Sequence, residues 1–443
     1  MLVNIHKLKL IITILIIVTI SMSLNAQVWT LQMCIDTALV SNKNLKIGRN
    51  TILIGEQKYK EANANLIPKV NVIADYKYYT DQPYQLMPAA VFGGTSGTFK
   101  EAQFGVPHNI NTNLQLTMPL YNPLIYGAIR MTKITYDMSK LQFEKTEEQI
   151  NFEVSNLYYN LQVLINQLSF ADSNLVNTVK LFNNMELLKQ QLLVKGTDVS
   201  RVQLQLMQLN TQKEIIQSKY DQILNALKFA MGISIHRNIQ IDYNIHFQTR
   251  NDYIGLSTVD IRIAENQKKL VQSELSTLRN SFLPSVSLYG IYGQMGFGYD
   301  KKPNEFLKFY PIGYAGIQLS YPLFNGTVTR RKINQKKIEI HNSELQLSLI
   351  IDQNSLQIEN AKQQKIVARK SIETIQAQII QAQTIYTQTI LQQKEGIATL
   401  TEVLLADNSL RDAQQSYLSA IIEYLKADLE LKKITGNICK TRN

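Results

Sequence analysis

The residue types most able to carry chemistry are scattered along this chain. Four of its histidines lie far apart in the sequence: His108, His236, His246 and His341. No two of them have the spacing of metal ligands, and the chain contains no GxSxG, HExxH or Walker sequence. The glycines from Gly290 to Gly298 loosely resemble a nucleotide-binding loop, but they lie in a predicted strand that runs into a Pro-containing loop. The sequence therefore predicts no catalytic site, no cofactor site and no metal site, and a protein that is not an enzyme.

The only two cysteines, Cys34 and Cys439, lie near opposite ends of the chain. Two free thiols and a disulfide in an oxidising compartment are both compatible with this spacing.

The first 26 residues have the pattern of a secretory signal peptide. Lys7 and Lys9 form a basic start, an apolar run follows from Leu10 to Ile20, and small polar residues lead to Ala26. A membrane anchor is the alternative, but it needs about 20 apolar residues. We therefore expect cleavage after Ala26 and export.

The formal net charge of +11 raises the possibility of a nucleic-acid partner. However, the basic residues are mixed with acidic ones, and the densest group is only Arg330-Arg331-Lys332. We expect a solvated basic surface and no nucleic-acid binding.

The mature chain is an internal repeat. The matched segments are Leu66–Val72 with Phe282–Leu288 (offset 216), Leu114–Asn122 with Ile317–Asn325 (offset 203), Lys195-Gly196 with Glu395-Gly396 (offset 200), and Met231-Gly232 with Thr435-Gly436 (offset 204). The first two offsets differ by thirteen, so the first repeat carries extra residues in its Gly-rich stretch from Asp81 to His108. We divide the chain into a signal peptide (1–26), a first repeat (27–245) and a second repeat (246–443).

Each repeat is predicted to contain two strands followed by two long helices. Apolar and polar residues alternate through Val70–Tyr79 and Ile110–Met118, which is typical of a strand with one apolar and one wet face. From Asn122 to Lys195 there is no Pro after Pro123 and no Gly after Gly127. A helix of that length would span roughly 100 Å.

The apolar seam of the first long helix follows a heptad pattern with one stutter. Its predicted members are Ile150, Val154, Leu157, Leu161, Leu164, Leu168, Ala171, Leu175, Val179 and Phe182. Gly196 and Gly396 are expected to centre the turns into the return helices and to adopt positive φ.

Four strands are too few to close a barrel in a membrane, where eight is the usual minimum. The chain must then oligomerise, and a trimer would supply twelve strands around a pore. The helices would continue the barrel as a tube.

The doubled order of these elements resembles the TolC-like outer-membrane efflux protein (outer membrane factor) family over the whole mature chain. The opening Leu31-x-x-Cys34-Ile35-x-x-Ala38-Leu39-x-x-Asn42-x-x-Leu45, the Leu-Pro strand entries at Pro68 and Pro284, and the Pro-Leu-(Tyr/Phe)-Asn strand exits carry the resemblance.

The resemblance implies an α+β membrane protein of the cell outer membrane. Its fold would be a trimeric 12-stranded β-barrel, with four strands per chain, continued by a long α-helical coiled-coil tunnel in the periplasm. It would be the exit duct of a tripartite efflux pump or type I secretion system. It would open passively when a periplasmic adaptor (membrane fusion) protein and an inner-membrane RND or ABC pump engage it.

The resemblance also implies two functional positions. The helix-turn tips would receive the adaptor, here at Lys195, Gly196, Thr197, Glu395, Gly396 and Ile397, although Ile397 departs from the usual Gly-Thr. Glu402 matches an acidic position that lines the family's pore constriction, whereas the second acidic position is Leu405 here. Val202 stands at the position matched to Glu402 in the first repeat. A solvated Glu near a helix start is the alternative explanation.

A surface-exposed coiled-coil adhesin or structural stalk is the alternative function. It would not explain why paired strands interrupt the heptads twice at equivalent positions.

Overall fold

The computed structural model describes residues 28–103, 105–245, 253, 255, 257–298 and 306–439. The predicted signal peptide lies outside the described residues. The helices are α1 (Leu31–Ser41), α2 (Lys43–Ala64), α3 (Pro123–Gln190), α4 (Gly196–Met231), α5 (Val259–Asn280), α6 (Val328–Lys394) and α7 (Leu400–Ile434). The strands are β1 (Val28–Trp29), β2 (Lys69–Tyr78), β3 (Tyr84–Pro88), β4 (Phe99–Gln103), β5 (His108–Tyr121), β6 (Gln240–Ile241), β7 (Ser285–Gly298) and β8 (Phe306–Ser320). The long helices and the two strands predicted for each repeat are confirmed.

The chain divides into two compact units, and each unit draws residues from both repeats. The sheet unit comprises Ile52–Ser139 and Glu265–Leu345. The helical unit comprises the described parts of Met1–Thr51, Lys140–Ala264 and Gln346–Asn443.

The main sheet is antiparallel and has the order β2-β5-β7-β8. Its register places Val72 opposite Leu114, Leu114 opposite Tyr292, and Tyr292 opposite Gly313. Because side chains alternate along a strand, this register places Val72, Leu114 and Tyr292 on one face, which carries apolar residues from all four strands. Within the described residues, β2 and β8 each pair on one side only, so the sheet of a single chain has two free edges.

The apolar face of this sheet is exposed in the single chain. The large side chains on it with more than two-fifths of their surface exposed include Val70, Val72, Tyr76, Leu114, Tyr292, Ile317 and Leu319. On the opposite face, β2 and β5 carry Asn71, Asn109, Asn111, Asn113, Gln115 and Thr117, whereas β7 and β8 carry Ile291, Met295, Tyr310 and Tyr314. The alternation predicted for β2 and β5 is therefore confirmed, with Gln115 and Leu116 on opposite faces.

Two glycines of β7 allow close approach of neighbouring strands. A Cβ on Gly293 would lie 2.2 Å from the backbone oxygen of Thr112. A Cβ on Gly296 would lie 2.5 Å from the ring of Phe309. The stretch with loose nucleotide-loop character is thus part of a strand.

The helical unit is held by clusters of buried side chains along α3. The largest cluster joins α3 to α1, α2 and α4 through residues that include Cys34, Leu45, Val154, Leu161 and Leu227. The predicted seam fails at Val179, which is 42% exposed, whereas Thr178 is 3% exposed. Beyond Ala171 the buried positions of the helix are Asn174, Thr178, Leu181 and Met185, and Phe182 packs beside them. The two buried polar residues of α3 have hydrogen-bond partners. Thr178 donates to the Asn174 carbonyl, 2.9 Å away, and the Asn174 side chain donates to the Gln414 side chain at 3.0 Å.

Cys34 and Cys439 are both free thiols. Among the residues described, no helix is both long enough and apolar enough to cross a bilayer.

Substitution of Gly293 by Ala should disrupt the sheet, because the Thr112 backbone cannot move aside without breaking the β5–β7 pairing. We expect a loss of about 1–3 kcal/mol in the free energy of unfolding, measured by thermal loss of strand circular dichroism. Gly290→Ala is the matched control, since its Cβ would meet no atom closer than 3.7 Å. Equal melting of the two variants would contradict the strand register.

Candidate functional site: the two helical hairpin tips

The two long hairpins end in turns of the same backbone geometry. In the first turn, the amide groups of Leu192 and Leu193 donate to the carbonyl oxygens of Lys189 and Leu188. In the second turn, Gly396 and Ile397 donate in the same way to Gln393 and Gln392. Every donor and acceptor of the second turn lies 204 residues after its counterpart. This is also the offset between Gly232 and Gly436, so one register relates both ends of the return helices.

This register corrects the predicted equivalence of Gly196 and Gly396. The residue with positive φ is Leu192 (61°) in the first turn and Gly396 (74°) in the second. Gly196 is the first residue of α4 and does not adopt positive φ. The prediction failed because it aligned two glycines, whereas the left-handed position is filled by Leu192, at a cost of roughly 1–2 kcal/mol.

The six predicted tip residues therefore occupy different parts of the two hairpins. Lys195 immediately precedes α4, and Gly196 and Thr197 lie in its first turn. Glu395, Gly396 and Ile397 form the second turn itself, before α7. The counterparts of the last three are Gln191, Leu192 and Leu193, which the sequence interpretation missed. The offset of 204, already visible at Gly232 and Gly436, would have identified them.

Equivalent large apolar side chains are exposed at both tips. Leu193 is 67% exposed and its counterpart Ile397 is 75% exposed. One and a half turns earlier, Leu187 and its counterpart Leu391 are each 56% exposed. Leu192 is 92% exposed. An apolar surface that recurs in both repeats is suited to contact with another protein.

Beneath the tips, a compact apolar core holds the hairpins in register. Leu181, Met185, Val199, Val202 and Val403 are buried together there. Val202 is fully buried, as is Val403, so Val202 cannot play the role of Glu402 in the first repeat. The offset of 204 instead pairs Glu402 with Asp198, and both are third residues of their return helices.

Glu402 caps the start of α7. Its carboxylate accepts hydrogen bonds from the Thr399 amide at 2.6 Å and from the Thr399 hydroxyl at 2.9 Å. The Thr399 hydroxyl in turn accepts from the Glu402 amide at 3.3 Å, which completes a capping box. These hydrogen bonds from Thr399 lower the pKa of the exposed Glu402 carboxyl. Glu402 therefore remains negatively charged at neutral pH.

A buried polar contact joins the two hairpins five residues farther along α7. Asp407 is 4% exposed, and it accepts a hydrogen bond from Gln205 at 2.5 Å and pairs with Arg411 at 3.1 Å. Burial raises the pKa of Asp407, although Arg411 and Gln205 oppose that shift. This contact connects α4 to α7 and so fixes one hairpin against the other.

Within the described part of the chain, no group of three or more His, Cys, Asp or Glu side chains is placed to hold a metal ion. The tips present exposed apolar side chains and a negatively charged carboxylate at Glu402, which suits them to binding.

The chain matches one family model and several known outer-membrane proteins. The family model "Outer membrane efflux protein" matches residues 34–233 and 257–437. Outer membrane protein TolC of Salmonella enteritidis is 19% identical, and the match covers 98% of this chain and 87% of TolC. The solved structure of the outer membrane protein VceC of Vibrio cholerae has a TM-score of 0.76 at 17% identity, covering 92% of this chain and 96% of VceC. The CmeC outer membrane channel of Campylobacter jejuni has a TM-score of 0.75 at 16% identity, covering 92% of this chain and 85% of CmeC.

Substitution of Gly396 by Ala should lower the free energy of unfolding by roughly 1 kcal/mol, because Ala is strained at positive φ. Gly196→Ala should not lower it, since Ala is the better residue within a helix. Chemical unfolding followed by helical circular dichroism measures both. Equal losses of stability in the two variants would contradict the assignment of positive φ to Gly396 but not to Gly196.

Proposed function

Because the chain belongs to the outer membrane efflux protein family, we propose that three copies of it assemble into the exit duct of a tripartite efflux pump or type I secretion system. The protein is an outer-membrane efflux channel with its helices in the periplasm. The surface adhesin or stalk alternative has no support, since the family match includes the strands as well as the helices of both repeats.

The four-stranded sheet is the main support for the proposed trimer. It exposes an apolar face along all four strands and has free edges at β2 and β8. In a bilayer, every backbone donor and acceptor must be paired. Joining β8 of one copy to β2 of the next satisfies both edges, and three copies make a 12-stranded barrel whose apolar face meets outer-membrane lipid.

The helical unit supports the same assembly. α6 exposes apolar side chains at intervals of seven and eleven residues, which keep to one face of a helix: Leu349 (48%), Leu356 (62%) and Val367 (66%). α7 instead buries residues along its whole length. A neighbouring copy packed on α6 would cover its exposed residues and close the helices into a tunnel.

The tips are the proposed contact with the periplasmic adaptor, which in turn engages an inner-membrane RND or ABC pump. The contact includes the predicted residues Lys195, Gly196, Thr197, Glu395, Gly396 and Ile397, and we add Leu192 and Leu193. Each protomer then offers two related apolar tips, with Leu193 and Ile397 at equivalent positions.

Replacing Leu193 and Ile397 together by Asp should weaken adaptor binding. The trimer should remain, because both side chains are exposed. In-cell cross-linking to the cognate adaptor and export of a fluorescent dye measure the effect, and a semi-native gel measures the trimer. Gln191→Asp places the same charge in the first turn and is the matched control. Unchanged cross-linking and export in the double variant would contradict the proposed contact.

Glu402 is the proposed constriction residue. Threefold symmetry would place three Glu402 carboxylates around the axis, and Asp198 at the equivalent position would add three more. Rings of carboxylates favour cations in channels. The capping box does not exclude this role, because the carboxylate stays exposed and charged while it caps the helix.

Glu402→Gln should lower cation selectivity and block by trivalent cations in planar bilayers. The substitution isolates charge from folding, because Gln also serves as the third residue of a capping box. Glu423→Gln, an exposed position farther along α7, is the matched control. The same cation selectivity and the same block in wild type and Glu402→Gln would show that Glu402 does not line the constriction.

A further inference from the structure

The extra residues of the first repeat form a structure of their own. β3 and β4 pair as an antiparallel hairpin between β2 and β5, with a short 3-10 turn at Ala89–Phe92. The hairpin forms a two-stranded sheet of its own. It is joined to the four-stranded sheet next to the Tyr79 amide, which donates to the Pro107 carbonyl at 2.9 Å, one residue beyond the β2–β5 ladder. Gln103 Nε2 also donates to the Gln82 carbonyl at 3.1 Å across the base.

One side of this hairpin is apolar at its outer end. The register pairs Tyr84 with Gln103, Leu86 with Glu101, and Pro88 with Phe99, and these six share one face. Tyr84, Leu86 and Phe99 are 67–69% exposed, and Val91 in the turn is 67% exposed. The face therefore changes from polar at its base to apolar at its tip.

Chain order places the hairpin outside the cell. α2 leads into β2 and β5 leads into α3, so the helices join the sheet at one end and the 79–107 connection lies at the other. Because the helices are periplasmic, the hairpin lies at the extracellular mouth of the channel.

Lipid is a poor partner for this face. Glu101 lies directly across from Leu86 in the middle of the face, and an acyl environment would penalise its charge. A protein partner can bury Leu86 and Phe99 while Glu101 stays in water.

A second copy of the chain is within reach of the hairpin. A barrel of twelve strands at normal spacing and tilt has a radius of about 12 Å. Five residue pairs extend about 17 Å before the turn is added. A hairpin rooted at the rim is therefore long enough to reach the threefold axis.

We propose that the three β3–β4 hairpins of the trimer converge on the threefold axis, where Phe99 and Val91 of each copy pack together as an apolar cap over the extracellular mouth. The cap rests on the proposed trimer. Symmetry makes one patch sufficient, since each copy presents the surface that its neighbours need. The cap is a second barrier, at the opposite end of the channel from the helical tips.

The test is disulfide formation between identical positions in intact cells. Cys34→Ala and Cys439→Ser remove the native thiols, and then Phe99→Cys and Val91→Cys are made singly. A copper–phenanthroline oxidant should give covalent dimers of both variants on denaturing gels. Lys100→Cys is the matched control, because it is adjacent to Phe99 and lies on the opposite face. It should yield several-fold less dimer.

A semi-native gel of every variant distinguishes failure of the cap from failure of the trimer. Intact trimers without dimers at both Phe99→Cys and Val91→Cys, or with equal dimers at Lys100→Cys, would overturn the cap and leave the channel assignment in place. Absence of the trimer in the native-cysteine protein would overturn the proposed assembly, and the cap with it.

Discussion

The pairing of backbone groups at the two free edges of one small sheet is the constraint on which the rest of this structure depends. β2 and β8 each lack a partner on one side, and the face between them is apolar and exposed. In water such a sheet would aggregate, and in lipid its edges would be unpaired. In the proposed assembly, further copies of the chain complete it.

The two repeats solve the same geometric problem with different residues. The left-handed turn position is Leu192 in one hairpin and Gly396 in the other, and the third residue of the return helix is Asp198 or Glu402. Within the second hairpin, α7 buries side chains along its length whereas α6 exposes apolar ones. This difference is what the proposed assembly needs, because α7 is then held within the chain and α6 is covered by a neighbour. Asp407, bound to Gln205 and Arg411, fixes the internal contact.

Much of this fold was accessible from the sequence because its signals are local and periodic. Alternation at Val70 to Tyr79 predicted which side chains share a face, and the register confirmed it. The prediction failed at Gly196, because two residues of the same type were assumed to occupy the same position in the two turns. It also failed at Thr178, because a polar residue occupies a buried position of the helix. The β3–β4 hairpin was missed because its glycines indicated only a loop. The contact between Gln205 and Asp407 joins residues 202 positions apart, and no local pattern encodes it.

We propose that the free edges of the sheet are paired between three copies. The mass of the detergent-extracted protein by native mass spectrometry tests this directly, with strand content followed by circular dichroism on the same sample. We expect a complex of three chains, and loss of strand signal whenever the complex dissociates. A single chain that retains its full strand signal in detergent would contradict it.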